Sequence, residues 1–306
     1  MIFYADAHAD TLYARAIQNT PDGDCAITAA RLAQMGAYLQ TFALFAGERG
    51  PAGTPYEDGQ KMIARIPELG VPILTGALPE EPPTFACGII SIEGGEMLQG
   101  RISRLHELYE QVRPRMISLT WNSENEIGHP AVGGSELPLK PFGRELVGEM
   151  DALGILVDVS HLNEAGFYDA AALTKLPIVA SHSNLRARCE HRRNLDAEQV
   201  KVIIEKKGFI GINFFSRFLA KERDATLMDV VGHMEDMLAL GARDVLGFGS
   251  DFDGISHWPE GLGTPLGMET ILEMLLARNH SEDLVRKIAG GNFWRVLKAA
   301  ERGAGG

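Results

Sequence analysis

Apolar residues along this chain fall into two alternating patterns. Short runs that are apolar at nearly every position recur at intervals, and the stretches between them carry apolar residues three and four apart. The first pattern predicts strands buried on both faces, and the second predicts helices that cover them. Eight strand-like runs can be placed, at Ile2–His8, Tyr38–Phe45, Phe85–Glu93, Met116–Trp121, Ile155–His161, Pro177–His182, Phe209–Phe215 and Val245–Asp251. Between them, Ile102, Leu105, Leu108, Tyr109 and Val112 recur at helical spacing until Pro114. Asp196 and Gln199 have the spacing of a capping box ahead of an apolar face of Val200, Ile203 and Ile204, with Gly208 as the stop. Asn163 is placed to cap the helix after His161. The stretch from Gly47 to Gly59 reads as a long loop, and another loop, Gly254 to Pro265, follows the last strand.

Alternating strands and helices imply a parallel sheet with right-handed crossovers. Eight units suggest closure into a (β/α)8 TIM-type barrel, an α/β fold, with residues 1–306 as a single domain. An open doubly wound sheet is the alternative. It is disfavoured because HADTLYARA follows the first strand and cannot cradle a pyrophosphate as a GxGxxG turn does. The length of 306 residues and 45% hydrophobic content suffice for one large core, and neither a linker nor an internal repeat interrupts the chain.

The formal net charge of -12 argues against a nucleic-acid partner. No apolar run reaches the roughly 18 residues that a membrane span needs, and MIFYADAHADTL has no signal-peptide pattern. Cys25, Cys87 and Cys189 are widely spaced and odd in number, which fits free thiols in a reducing, cytoplasmic compartment.

The candidate chemistry sits at the ends of the predicted strands. In a barrel those ends share one face, so residues distant in sequence converge there. His8 and Asp10 are two apart and point to the same side of their strand, an imidazole and a carboxylate suited to zinc or a similar divalent ion. Glu93, in SIEGGE, has two oxygens that could bridge two cations; Glu96 lies past the turn and is expected to face solvent. His161 and His182 end consecutive strands, which lie about 5 Å apart. Asp158 precedes His161 by three and reads as structural. Asp251, in GFGSDFDG, is placed to take a proton from an attacking water and return it to a leaving amine, whereas Asp253 reads as a turn residue before Gly254. The cluster RARCEHRRN offers Arg186, Arg188, Arg192 and Arg193, any of which could hold a substrate carboxylate. His106, His129, His191, His233 and His280 are taken as surface residues, with His257 bordering the pocket.

Together these segments resemble the renal, or membrane, dipeptidase family of zinc peptidases in the amidohydrolase superfamily. The matching motifs are HAD at His8–Asp10, IEGGE from Ile92, LTWNSEN from Leu119, VDVSH ending at His161, SHSN from Ser181, RRN from Arg192, GSDFDG from Gly249 and GGNFWRVL near the C-terminus. The resemblance implies a barrel with two Zn2+ ions: His8 and Asp10 on one, His161 and His182 on the other, and Glu93 bridging them. It also implies Arg193 on the substrate's terminal carboxylate and Asp251 as the proton shuttle. The implied reaction is hydrolysis of short dipeptides, including L,D-dipeptides, by a metal-bridging hydroxide. The chain departs from the pattern at Trp121. There the mammalian enzymes carry a histidine thought to polarise the substrate carbonyl; Asn122, Asn125, His129 or the metal itself are the alternatives here. Trp121 and Asn122 are accordingly candidate substrate contacts. The departure also leaves open a related barrel hydrolase acting on lactones, N-acyl amino acids or β-lactams. A soluble, bacterial-type protein with a small-molecule substrate and no membrane partner is expected, and homo-oligomerisation is left open.

Overall fold

The structure, a computed structural model, describes residues 2–45 and 54–304. Eight strands, β1 (Tyr4–Asp6), β2 (Tyr38–Phe45), β3 (Ala86–Glu93), β4 (Met116–Ser118), β5 (Leu156–Asp158), β6 (Val179–Ala180), β7 (Phe209–Ile212) and β8 (Leu246–Phe248), form a closed barrel in sequence order. Every neighbouring pair is parallel, and Asp6 of β1 pairs with Phe248 of β8 to close the ring. The predicted strands are all present, and most are shorter than their apolar runs. The ladder between β2 and β3 runs unbroken from Tyr38 opposite Ala86 to Phe45 opposite Glu93. Elsewhere, polar side chains take over the backbone groups where the ladder stops. Asp158 accepts hydrogen bonds from the N–H groups of Ser160 (3.0 Å) and Ser181 (2.9 Å), and Ser160 Oγ accepts from His182 N–H (3.1 Å). Pairing thus gives way to side-chain anchoring at the end where the chemistry was expected.

That anchoring requires close backbone approach. A Cβ on either Gly211 or Gly249 would collide with the carbonyl oxygen of Ser181, so β7 and β8 admit the end of β6 only because these positions are glycine. At the opposite end, the C-terminal helix Asn292–Gly303 lays Phe293, Trp294, Val296 and Leu297 against the strand beginnings at Ala5, Leu39, Cys87, Met116, Leu156 and Phe209. The barrel is therefore stoppered at one end and open at the other.

The helix ends mostly follow the sequence, with two corrections. Asp196 and Gln199 exchange both bonds of a capping box (2.8 and 3.0 Å), and Asn163 caps the helix Glu164–Leu173 by accepting from Gly166 N–H (2.9 Å). The residue that turns left-handed after Glu205 is Lys207 (φ 52°), not Gly208. Gly208 is needed instead because a Cβ there would strike the carbonyl of Ile178. The expected loop from Gly47 to Gly59 is helical from Pro55 onward: Thr54 and Glu57 form a capping box, and Gly59 packs under Met97. Residues 47–53 of that loop lie outside the described residues. Among the described residues, no helix is long and apolar enough to cross a membrane. Cys25, Cys87 and Cys189 are free and buried.

Two of the histidines taken as surface residues are buried. His129 lies 3.3 Å from Glu124, beneath the chain that follows β4. His233 is fully buried on the helix Leu227–Ala239, where Nδ1 accepts from Leu185 N–H (3.1 Å) and Nε2 faces the Leu219 carbonyl (3.2 Å). One acceptor and one donor partner fix a neutral tautomer, and burial pulls its pKa down from 6.5 to about 4. Helical periodicity placed His233 on a helix but could not tell which face it occupies. His106 is exposed, and His191 and His280 are partly so.

The unfolded chain takes a proton on His233 below pH 6.5, whereas the folded chain resists it until about pH 4. Stability from this site is therefore complete above pH 6.5 and is lost as the pH falls toward 4, by on the order of 3 kcal/mol. Denaturant melts across that window should show a shallower acid loss for His233→Gln than for the wild type. Equal slopes would remove His233 as the cause.

Candidate metal centre

All six candidate residues reach the open end of the barrel. Glu93 is the last residue of β3, His8 lies two past β1, His182 two past β6, and His161 and Asp251 three past β5 and β8. His161 (φ 70°) and Asp251 (φ 65°) are left-handed, an uncommon backbone state for non-glycine residues that here turns each side chain inward over the rim. Asp251 is held in place by its N–H on the His8 carbonyl (3.2 Å). A Cβ on Gly254 would collide with Asp10 Oδ2, so this glycine lets the following loop close over the carboxylate.

Glu93 stands at the middle. Its Oε1 is 3.0 Å from His161 Nε2 and 3.5 Å from His182 Nε2, while its Oε2 is 3.3 Å from His8 Nε2. His8 Nε2 in turn lies 3.5 Å from Asp10 Oδ2 and 3.9 Å from Asp251 Oδ1. One carboxylate thus turns one oxygen to each of two donor groups. Two triads, His8–Glu93–His182 and His8–Asp10–Asp251, bring their ligand atoms within 4.8 Å of one another.

A deeper layer orients the donors. Ser181 Oγ donates to Asp158 Oδ2 (2.5 Å), so its oxygen receives the proton of His182 Nδ1 (2.8 Å). Asn122 Oδ1 lies 3.0 Å from His161 Nδ1 and can only accept there. Both imidazoles therefore carry their proton on Nδ1 and aim a bare Nε2 into the centre, the arrangement in which outer partners fix metal-ligating histidines. The two Nε2 atoms face each other at 2.9 Å. Two lone pairs at that distance repel unless a cation lies by them. Burial, with neighbouring His8 and Arg193, holds both pKa values well below the usual range, so neither imidazole supplies that cation as a proton. His8 Nε2 and Asp10 Oδ1 are buried without a hydrogen-bond partner. Burial pushes the Glu93 carboxyl up against the opposing pull of His8, with Asp10 and Asp251 adding to the rise, and burial raises that of Asp251. Neutral nitrogens, crowded carboxylates and orphaned buried donors are what a divalent cation would relieve, and the residues present fit one.

Asp251 has its own fixture. Asn213, just past β7, donates from Nδ2 to Asp251 Oδ2 (2.8 Å), and its backbone is locked to Asn184 by reciprocal bonds of 2.9 and 3.0 Å. Asp253 is structural, as expected, but not as a simple turn residue. It accepts from Thr11 Oγ1 (2.6 Å) and Ala26 N–H (2.5 Å), tying together the loops after β1 and β8. Glu96 does not face solvent. Both its oxygens are buried, and burial raises its pKa to about 7.

A cavity of about 510 Å³ opens above the centre, lined by Glu93, His161 and Asp251 and by Trp121 and Asn122. Of the four arginines, Arg193 alone is buried, and burial lowers its pKa to about 10. It does not line this cavity. It lines a second one of about 300 Å³ that shares His161 with the first, and its guanidinium packs 5.6 Å from the Phe218 ring of the main cavity. Arg188 is instead paired with Asp236, Arg186 lies near Asp196, and Arg192 is exposed. The three side chains weighed as stand-ins for a histidine at Trp121 are committed elsewhere. Asn122 holds His161, Asn125 ties its own loop by bonds to Leu119, Ile127 and Gly128, and His129 faces Glu124. Sequence reasoning did not single out Asn213, Ser181 or Asp6. The Ser that precedes both His161 and His182 was the only signal of this layer.

A parallel barrel with imidazoles and carboxylates gathered on its open rim defines a metal-dependent hydrolase. Residues 84–305 match the model of the membrane dipeptidase family, peptidase family M19, and the chain belongs to that family. It is 33% identical over 222 residues to an uncharacterised protein from the pqqA 5′ region of Klebsiella pneumoniae, an overlap of 69% of this chain and 80% of that protein. Among solved structures it resembles dipeptidase AC, a metallo-peptidase of family M19, at 26% identity and a TM-score of 0.86 over 98% of both chains. A metallo-peptidase from Rhodobacter sphaeroides, liganded with a phosphinate mimic of L-Ala-D-Ala, is 25% identical with a TM-score of 0.85, covering 98% of this chain and 99% of its own.

Ser181→Ala should weaken metal affinity by roughly 10- to 100-fold, because the His182 ring loses the partner that fixes its tautomer. Competition against a chromophoric chelator measures this. An unchanged affinity would mean that Ser181 does not orient a ligand.

Proposed function

We propose that the chain is a binuclear zinc dipeptidase that hydrolyses short dipeptides, L,D-dipeptides included. One observation carries the reading: Glu93 offers one oxygen to the His161–His182 pair and the other to His8. In this proposal His8 and Asp10 hold one Zn2+, His161 and His182 hold the other, and Glu93 joins them. Bound there, the ions would polarise the scissile carbonyl and lower the pKa of the attacking water.

The remaining roles belong to the chain's own residues. Asp251, fixed on one oxygen by Asn213, accepts the water's proton on the other and returns it to the departing amine. Arg193 holds the substrate's terminal carboxylate, which limits substrates to short ones. It would draw the carboxylate to the side of Phe218, on which it packs. The bound L-Ala-D-Ala mimic in the Rhodobacter sphaeroides relative supports a dipeptide with a D-residue at its C-terminal position.

Asp251→Asn is the informative variant, since asparagine tolerates the left-handed backbone found there (φ 65°) and removes only the proton acceptor. Metal analysis should give two equivalents per chain for both forms, with kcat on L-Ala-D-Ala lower by about 10²- to 10⁴-fold in the variant. Fewer than two equivalents in the wild type together with no turnover of any dipeptide would overturn the proposal. Lactone turnover that survives Arg193→Ala would favour the alternative hydrolase.

A further inference from the structure

Beyond the metal-binding groups, two sets of aromatic rings line the main cavity, and they fall on opposite sides. Tyr13, Phe45 and Trp121 form one continuous wall, with ring centroids 4.8 Å apart at 78° and then 5.0 Å apart at 68°. These residues follow β1, end β2 and follow β4 respectively. Facing them, Phe215 and Phe218 follow β7 and meet edge to face at 5.0 Å, with Phe218 against Arg193. Arg193 lies in the connection after β6, and in a closed ring of eight strands β6 stands opposite β2. Gln18, exposed, borders the cavity on the side of Tyr13. Among the described residues that form this wall, Tyr13, Gln18, Phe45 and Trp121 are all uncharged.

We propose that this wall receives the side chain of the substrate's N-terminal residue and selects large apolar or aromatic ones; the inference rests on the dipeptidase reading above. A dipeptide whose carboxylate is drawn toward Arg193, with its peptide carbonyl over Glu93, has to run across the barrel mouth. Its N-terminal residue then arrives at β1, β2 and β4. Edge-to-face rings offer a further ring both a face and an edge to pack on. Among the described residues, a buried carboxylate would meet no cationic side chain in the cavity lining, and for an ammonium the acidic groups there are the rim carboxylates and Asp253, which is already bonded to Thr11 and Ala26. Tyr13, Phe45 and Trp121 are thus specificity-determining residues for the N-terminal position.

Zinc-loaded enzyme should hydrolyse L-Phe-D-Ala with a kcat/KM at least about tenfold above L-Ala-D-Ala, and further above L-Asp-D-Ala and L-Lys-D-Ala. Calorimetry with phosphinate analogues of the same dipeptides should give the same order in Kd. Phe45→Ala should cut the Phe-to-Ala ratio by about tenfold. Gln18→Glu, an exposed change that does not endanger the fold, should raise the Lys-to-Phe ratio by about threefold. Equal or faster turnover of L-Ala-D-Ala than of L-Phe-D-Ala, or a Lys-to-Phe ratio untouched by Gln18→Glu, would overturn this inference while leaving the dipeptidase reading intact. Absence of turnover for every dipeptide would instead overturn the reading beneath it.

Discussion

Three carboxylates crowded at one rim, two of them buried, form the constraint on which the open end of this barrel depends. Asp10 and Glu93 are 5% and 3% exposed, and Asp251 stands beside them against His8. An ionised carboxylate removed from water costs several kcal/mol unless positive charge answers it. Among the described residues, the nearby cationic groups are His8, drawn to its charged form by Glu93 and Asp10 in spite of burial, and Arg193, whose own charge burial weakens. His161 and His182 are held neutral and turned so that they too present lone pairs. The rim is therefore rich in electron donors and poor in positive charge, an imbalance that a divalent cation would correct.

Such a rim persists only if something holds the donors in place, and a second tier of aspartates does so. Asp158, at the end of β5, gathers the hydroxyl protons of Ser118 and Ser181 and the N–H groups of Ser160 and Ser181. Asp6, at the end of β1, does the same across the barrel: it accepts from Ser250 N–H (2.8 Å) and Oγ (2.6 Å), from Gln40 (3.2 Å) and from His8 N–H (3.4 Å). Three of these serines, Ser160, Ser181 and Ser250, immediately precede a rim residue, His161, His182 or Asp251. Fully bonded buried networks of this kind are rigid, and partly bonded ones are costly. The second tier thus supplies the stiffness that lets His161 and Asp251 sit in a left-handed backbone.

The barrel and its rim residues were legible because strand ends in this fold share one address. Each of His8, Asp10, Glu93, His161, His182 and Asp251 closes an apolar run, and closure of the sheet does the rest. What could not be read is depth. Glu96 and His233 occupy positions whose side chains could have pointed either way, and only tertiary packing decides that the Glu96 oxygens and the His233 ring are buried. Nor does the sequence distinguish Gly208, which makes room for the Ile178 carbonyl, from the helix-ending glycine it imitates, since both uses follow a helix by a residue or two. Asn213 stayed hidden for another reason. Its role is defined by Asp251 and Asn184, which are distant in sequence and on different strands' ends.

Trp121 shows how a single departure from a family pattern propagates. Were the chain after β4 merely to have lost an imidazole, a neighbour would be expected to stand in for it. Instead Asn122 is turned onto His161, Asn125 is spent on its own loop, and His129 lies beneath against Glu124. The indole extends the ring contact of Tyr13 and Phe45 toward His161, 6.1 Å from its imidazole. An indole N–H is a weak donor beside an imidazolium, but its ring is a large apolar surface. In the proposed reading, the exchange trades a charge-handling group for a shape-reading one. In the proposed reaction, polarising the carbonyl then falls to the ions the rim would hold, and the space a histidine would occupy becomes part of the wall that meets the substrate.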